Sequence, residues 1–128
     1  MKVVTVILQI VLGLIFMLAG VMKLFTPYDE LVQEENMAWA LDFSSSHVLL
    51  IGGFELVFSL IFLAGVFLKK LTPYLPIVGA LFTIQMVAAL IVHARRDEMD
   101  AVYINITILI FAVTFAILRF NLNSRKGV

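Results

Sequence analysis

Five polar side chains within or at the ends of the apolar stretches of this chain are the residues that could do chemistry. They are Lys23, Glu55, Gln85, His93 and Asn105. A carboxylate among hydrocarbon is costly, so Glu55 must pair with a cation, lie in a wet cavity or bind a proton. Amide side chains in the same surroundings hydrogen-bond between helices. The set predicts a ligand-binding or proton-handling pocket with Glu55 as its central polar contact.

Each of these residues also has a purely structural interpretation. Glu55 could tie helices together through Lys23, Gln85 or Asn105 without binding anything else. Lys23 could extend its ammonium group from a helix end to the membrane surface. The two amides could simply join neighbouring helices. The sequence leaves both interpretations of Glu55 open.

Signals for other kinds of site are weak. His93 and His47 could together bind a metal or haem, but two histidines without a ligand-spacing motif are a poor signal, so we predict no metal site. His93 is interpreted as a group at the pocket rim or the membrane interface. The chain has no cysteine, which excludes thiolate metal sites and iron–sulfur clusters. Electron transfer would therefore need a bound cofactor or a partner protein.

The composition identifies the solvent that surrounds these side chains. The 128 residues are 62% hydrophobic and 14% charged, with a mean hydropathy of +1.09. Soluble domains are about 45–50% apolar and about 25% charged, and a small domain has much surface to keep polar. Lipid tolerates this composition. The formal net charge is zero, and no basic stripe predicts a nucleic-acid partner.

Four apolar stretches are long enough to cross a bilayer, which takes roughly 20 residues. We predict spans at about 3–24, 48–68, 73–93 and 101–119. The stretches are continuous rather than alternating, which excludes membrane strands. The sequence therefore predicts an all-α fold, a four-helix transmembrane bundle that forms a single membrane domain over residues 1–128. The first stretch is too long for a cleaved signal peptide and is interpreted as a retained span.

Two Thr-Pro pairs indicate helix starts, because proline is favoured at the first helical position after a capping residue. Thr26-Pro27 predicts a short interfacial helix over Pro27–Leu41, between spans one and two. Thr72-Pro73 predicts the start of span three in the same way.

Basic residues are distributed unequally between the two ends of the predicted bundle. One end carries Lys2, Lys69, Lys70, Arg119, Arg125 and Lys126. The positive-inside rule predicts that this end and both termini lie in the cytoplasm. Glu55, Gln85 and Asn105 would then lie roughly 6–12 Å below the outer surface. The inner half offers only Gln9 and scattered hydroxyl groups.

Small residues accompany the polar positions and allow helices to approach closely in lipid. The residues assigned to helix packing are Gly13, Gly20, Gly52 and Ser59. Helical spacing places them on the same stripes as Lys23 and Glu55. We expect these stripes either to surround a polar pocket that opens to the outer face or to contact the helices of a partner.

Three segments carry a family resemblance. They read GLIFMLAGVMKL at Gly13–Leu24, IGGFELVF at Ile51–Phe58, and T-P followed by a run ending in QMVAALIVH within Leu71–His93. In this order and spacing the chain resembles the DoxX-like family of small four-helix membrane proteins, over most of its length. The positions that match the family pattern are Gly20, Lys23, Glu55 and His93.

The resemblance implies a four-helix bundle in a bacterial cytoplasmic membrane. Some DoxX relatives are associated with quinone-linked sulfur oxidation and others with redox complexes, whereas related animal proteins act as assembly chaperones for membrane receptors. We expect a subunit or binding protein of a quinone-linked redox system, with a quinone as ligand and the bilayer, other redox subunits or further copies as partners. The alternative is a non-enzymatic assembly protein. A transporter is disfavoured because the polar set stops halfway across.

Overall fold

Four long helices and three short ones make up the part of the chain that the computed structural model describes, residues 1–126 with side chains up to Arg125. The helices are α1 (Lys2–Phe25), α2 (Tyr28–Leu31), α3 (Ser45–Ala64), α4 (Leu75–Arg95) and α5 (Met99–Lys126), with 3₁₀ turns at Ala38–Asp42 and Lys69–Tyr74. Within the described residues α1, α3, α4 and α5 are long and apolar enough to cross a membrane. The predicted all-α four-helix membrane bundle is confirmed.

Two spans end at different places from those predicted. α3 ends at Ala64 rather than near residue 68, and Gly65 follows as its C-cap. α5 continues to Lys126 rather than ending near residue 119. It continues because no glycine or proline interrupts residues 119–126, and the residues present there tolerate a helix. Arg119 consequently lies within the last helix, about two turns before its end.

A short helix follows Thr26-Pro27 as predicted, but it covers only Tyr28–Leu31, with Pro27 as its N-cap. The segment Pro27–Leu41 is not one helix, because Asn36 has a φ of 66°. A left-handed residue cannot continue a right-handed helix, and asparagine is one of the few residues that adopts this conformation readily. At Thr72-Pro73 the proline lies inside a 3₁₀ turn, and α4 begins at Leu75 instead.

The long helices pack as two pairs, α1 with α3 and α4 with α5, and the pairs meet mainly through α1 and α5. Glycines allow the first pair to approach closely. A Cβ atom on Gly20 would lie 2.8 Å from the backbone oxygen of Gly52, and one on Gly52 would lie 2.8 Å from Lys23 Cβ. Gly13 packs against Leu63 in the same interface. These glycines therefore face the interior of the bundle.

A layer of phenylalanines crosses the middle of the bundle, one from each long helix. Its members are Phe16, Phe62, Phe82 and Phe115, all buried. The rings of Phe16 and Phe82 stack with their centroids 3.9 Å apart. Phe62 lies against both Phe82 and Phe115, at centroid distances of 5.1 Å and 4.7 Å. This phenylalanine layer separates the polar residues at the two ends of the bundle.

The two ends of the bundle differ in their connections. The loop end has the connections 26–44 and 96–98, and the terminal end has Lys2, the turn Lys69–Tyr74 and the last turns of α5. Along α1, Lys23 lies about two turns from Phe16 toward the loop end, and Gln9 lies about two turns from it toward the terminal end.

Candidate functional site

A buried ion pair joins α1 to α3 at the loop end. Lys23 Nζ lies 2.7 Å from Glu55 Oε1, and the two side chains are 9% and 2% exposed. The contact is close enough for a salt bridge, although it is not aligned as a hydrogen bond. The ring of Trp39 lies 5.7 Å from the same ammonium group, within the range of a cation–π contact. Each charge of the pair compensates the other where neither could be buried alone.

Gln85 approaches this carboxylate from α4, closely enough for the amide to interact with it. An ionised carboxylate only accepts hydrogen bonds, so the NH₂ group is the part of this amide that can donate to Glu55. Gln85 Oε1 is buried and accepts no hydrogen bond from the residues that the structure describes. A buried acceptor without a donor costs about 1–3 kcal/mol, which a ligand that donates a hydrogen bond would recover.

These groups lie on the wall of a cavity of about 590 Å³ between the two helix pairs. Sites for small molecules typically measure about 300–1,000 Å³. The structure brings all five candidate residues to this one cavity: Lys23 from α1, Glu55 from α3, Gln85 and His93 from α4, and Asn105 from α5. That they bind a ligand there stays a prediction.

The remainder of the cavity wall is mostly apolar. Phe16, from the phenylalanine layer, lines it together with Phe54 and Met86. Leu50 and Ala88 also line it, and both are exposed on the outside of the bundle. The cavity therefore reaches the surface of the bundle that would face lipid.

The connection between α1 and α3 covers the cavity at the loop end, where Met37, Trp39 and Phe43 contribute to its wall. The sequence did not indicate that this connection covers a cavity, because its pattern predicts only a position at the membrane interface. A distant contact holds the cover in place: Arg96 Nη1 donates to Asp42 Oδ1 at 2.9 Å. No periodic pattern in the sequence could have indicated that contact.

His93 lies at the junction between the cover and the α4–α5 connection. Its Nδ1 is 3.3 Å from Glu98 Oε1, the same oxygen that accepts a hydrogen bond from Arg96 Nε at 3.0 Å. Its ring also lies edge-on to Trp39, at a centroid distance of 6.3 Å. His93 is therefore a rim residue that links both connections.

His47 lies elsewhere. It is exposed, its Nδ1 is 2.7 Å from Ser44 Oγ, and it is not part of the cavity wall. The structure therefore does not bring the two histidines together at the cavity.

A second buried polar group lies at the terminal end, and the sequence analysis missed it. Arg119 is 7% exposed, and its Nη2 donates to Gln9 Oε1 at 3.2 Å. Gln9 Nε2 donates in turn to the Phe62 backbone oxygen at 2.7 Å. The prediction that the inner half offers only Gln9 and hydroxyls was wrong, because α5 continues past Arg119. The spacing alone was a weak signal: Arg119 follows Phe115 at one helical turn, on a face that the structure buries.

Comparison with known proteins supports the resemblance noted in the sequence. The model of the DoxX-like family matches residues 7–115 of the chain, a range that contains all five candidate residues. No curated protein and no solved structure matches the chain. A match over most of the chain, together with the four-helix membrane fold, shows that the chain belongs to the DoxX-like family.

Proposed function

We propose that this protein is a membrane-embedded binding protein of a quinone-linked redox system, and that the loop-end cavity holds the head group of a small amphipathic ligand such as a quinone. The observation that carries the proposal is Gln85 Oε1, a buried acceptor without a donor on the wall of a ligand-sized cavity. Burial of this acceptor is favourable only when a ligand donates the missing hydrogen bond to it.

The charges on the cavity wall favour a neutral ligand. Lys23 and Glu55 compensate each other at 2.7 Å, so a charged ligand would disturb a balanced pair. A quinone ring is neutral, polar at its two oxygens and apolar elsewhere. The phenylalanine and methionine side chains of the wall suit its ring and tail.

The hydrogen-bonding groups suit both redox forms of such a ring. The ammonium of Lys23 and the amide of Asn105 can donate to the carbonyl oxygens of the oxidised form. Gln85 Oε1 can accept a hydrogen bond only from the hydroxyl group of the reduced form. The bound ring would supply the redox chemistry, and the residues of this chain bind and orient it.

The exposed positions Leu50 and Ala88 support entry from the bilayer, because the cavity reaches the lipid-facing surface there. A quinone with an apolar tail is dissolved in the bilayer and could enter sideways. Electron exchange would then involve other redox subunits or a second copy of the chain.

The orientation that we infer places the terminal end in the cytoplasm and the cavity toward the outer face of the inner membrane. The support is the positive-inside rule. Lys2, Lys69, Lys70 and Arg125 lie at the terminal end, whereas the Lys126 side chain and residues 127–128 lie outside the described residues.

Purification of the full chain from a quinone-containing membrane, followed by extraction and chromatography of bound quinone, tests the proposal. Purified with a reductant that keeps the ligand as its quinol, the unmodified protein should retain it, and Gln85→Leu should lose it because the quinol's hydroxyl then has no acceptor. Asn121→Leu, which removes an exposed amide from α5 at the terminal end, should retain it. Unmodified protein that folds but carries no quinone would contradict the proposal.

Glu55 variants separate ligand binding from a purely structural tie. Glu55→Gln keeps the shape of the side chain and Glu55→Leu removes its polarity. Both should lose quinone, and Glu55→Leu should also be the less stable of the two, because it leaves Lys23 buried without its anion or a hydrogen-bonding substitute. If both unfold and Gln85→Leu still binds quinone, the carboxylate is only a tie between α1 and α3.

A further inference from the structure

The terminal end of the bundle has positive charge and no acidic side chain. All nine Asp and Glu residues of the sequence lie on the loop-end side of the phenylalanine layer, the deepest being Glu55. Arg119 therefore has no carboxylate side chain that it could reach across the layer. Its described partner, Gln9, is neutral.

Arg119 is also incompletely hydrogen-bonded. Its Nε atom is buried and donates no hydrogen bond to the residues that the structure describes. A guanidinium is always protonated in proteins, so this group cannot avoid the cost of burial by losing its charge. Burial of an uncompensated charge is strongly unfavourable unless an anion accompanies it.

A turn that contains two lysines packs against α5 at this end of the bundle. Asn123 Nδ2 donates to the Thr72 backbone oxygen at 2.9 Å, which brings the turn Lys69–Tyr74 against α5. Asn123 and Arg119 are one helical turn apart and so share a face of α5. Lys69 and Lys70, both exposed, belong to this turn.

Exposed apolar side chains adjoin these basic residues in the sequence and lie at the same end of the bundle. Phe67 and Leu68 precede the two lysines with 84% and 57% of their surfaces exposed, and Phe120 follows Arg119 with 62% exposed. Basic groups at the end of a bundle beside apolar surface match the two parts of a phospholipid, a phosphate and its acyl chains.

We propose that the terminal end binds an anionic phospholipid, with its phosphate held by Arg119 and the Lys69–Lys70 turn and its acyl chains against Phe67 and Phe120. The remaining N–H groups of the guanidinium suit a phosphate, which accepts paired hydrogen bonds from arginine. Arg119 lies beyond residues 7–115 that the family model matches. This site is independent of the loop-end cavity and of the quinone proposal.

Thermal unfolding of the full chain in lipid nanodiscs tests the site. The midpoint should be higher in phosphatidylcholine discs that contain phosphatidylglycerol than in discs of phosphatidylcholine alone. Arg119→Met should abolish most of this difference while leaving the midpoint in phosphatidylcholine nearly unchanged, because removing an uncompensated charge offsets the hydrogen bond that Gln9 Oε1 loses. Arg95→Gln, which removes an exposed arginine at the loop end, should leave the difference intact.

A second measurement does not depend on the Arg119 variant being folded. Lys69→Gln and Lys70→Gln should each weaken retention of phosphatidylglycerol, measured by native mass spectrometry, by about fivefold per residue. Equal stabilisation by both lipids would overturn the proposal. So would stabilisation by inorganic phosphate in phosphatidylcholine discs, because a free phosphate and not a lipid would then be the ligand.

Discussion

The two ends of the bundle bury charge in opposite ways. At the loop end Lys23 and Glu55 balance each other beside a cavity, but the neighbouring Gln85 Oε1 has no donor among the described residues. At the terminal end Gln9 is hydrogen-bonded on both sides, but the charge on Arg119 is not balanced by any acidic side chain. One end lacks a hydrogen bond and the other lacks an anion. The ligand proposed for each end supplies the missing group: a hydrogen-bond donor at the loop end and an anionic phosphate at the terminal end.

The largest expected difference in stability is between removing a charge that has a buried partner and removing one that has none. Lys23→Met should destabilise the protein by about 3–5 kcal/mol, because it leaves the Glu55 carboxylate buried without its cation. Arg119→Met, the corresponding change at the terminal end, should be close to neutral in zwitterionic lipid. Unfolding in mixed detergent micelles measures both.

The double variant Lys23→Met/Glu55→Leu provides the control for the Lys23 prediction. It should recover much of the lost stability, because no charge is left alone in the interior. A Lys23→Met protein as stable as the unmodified one would show that the ion pair does not contribute, and the comparison between the ends would fail.

The next largest effect concerns the hydrogen-bonded polar group. Gln9→Leu should cost about 2–3 kcal/mol, because it leaves both the Phe62 carbonyl and the Arg119 guanidinium without their partner. The measurement is the free energy of unfolding in the same micelles. Asn121→Leu serves as the control, since its amide is exposed. If Gln9→Leu left the free energy of unfolding unchanged, the terminal end would be hydrated rather than packed.

Much of this architecture could be predicted from residue types alone. Ionisable and amide residues are conspicuous in apolar helices, and counting residues from the helix ends gave Glu55, Gln85 and Asn105 similar depths. Their convergence on one cavity needed no knowledge beyond the cost of facing lipid.

Other features depended on contacts that a sequence does not display. Glu55 had three candidate partners, and only the closeness of α1 and α3 at Gly20 and Gly52 selects Lys23. Trp39 reaches the cavity through a connection whose path is fixed by Arg96, far along the chain. The burial of Arg119 followed from helix length, which sequence patterns predict poorly at the ends.

A smaller effect tests the spacing on which the ion pair depends. Gly20→Ala should cost about 2 kcal/mol, because its Cβ would meet backbone atoms of α3 that cannot move independently. The matched control is Gly53→Ala, where nothing lies within 4 Å of the added carbon. Gly53→Ala should be neutral or slightly stabilising, since alanine favours helices. Equal thermal midpoints for the two variants would contradict close packing at Gly20.

The smallest effect on stability is expected at Gln85. Gln85→Leu should change the free energy of unfolding by less than about 1 kcal/mol, because removal of the buried Oε1, unpartnered among the described residues, offsets the loss of the amide's contact with Glu55. The same variant should lose bound quinone. A large loss of stability would show that Gln85 is structural, and that the loop end resembles the terminal end more closely than its contacts indicate.

The phenylalanine layer has a consequence for the electrical behaviour of the protein. Four packed rings, with Phe16 and Phe82 in contact at 3.9 Å, lie between the cavity and Gln9. Because the packed rings leave no polar path between the two ends of the described bundle, we expect most of the transmembrane voltage to fall across this layer. A neutral molecule in the cavity would enter and leave on the loop-end side of the layer. Its affinity would not depend on the membrane potential, because it carries no charge.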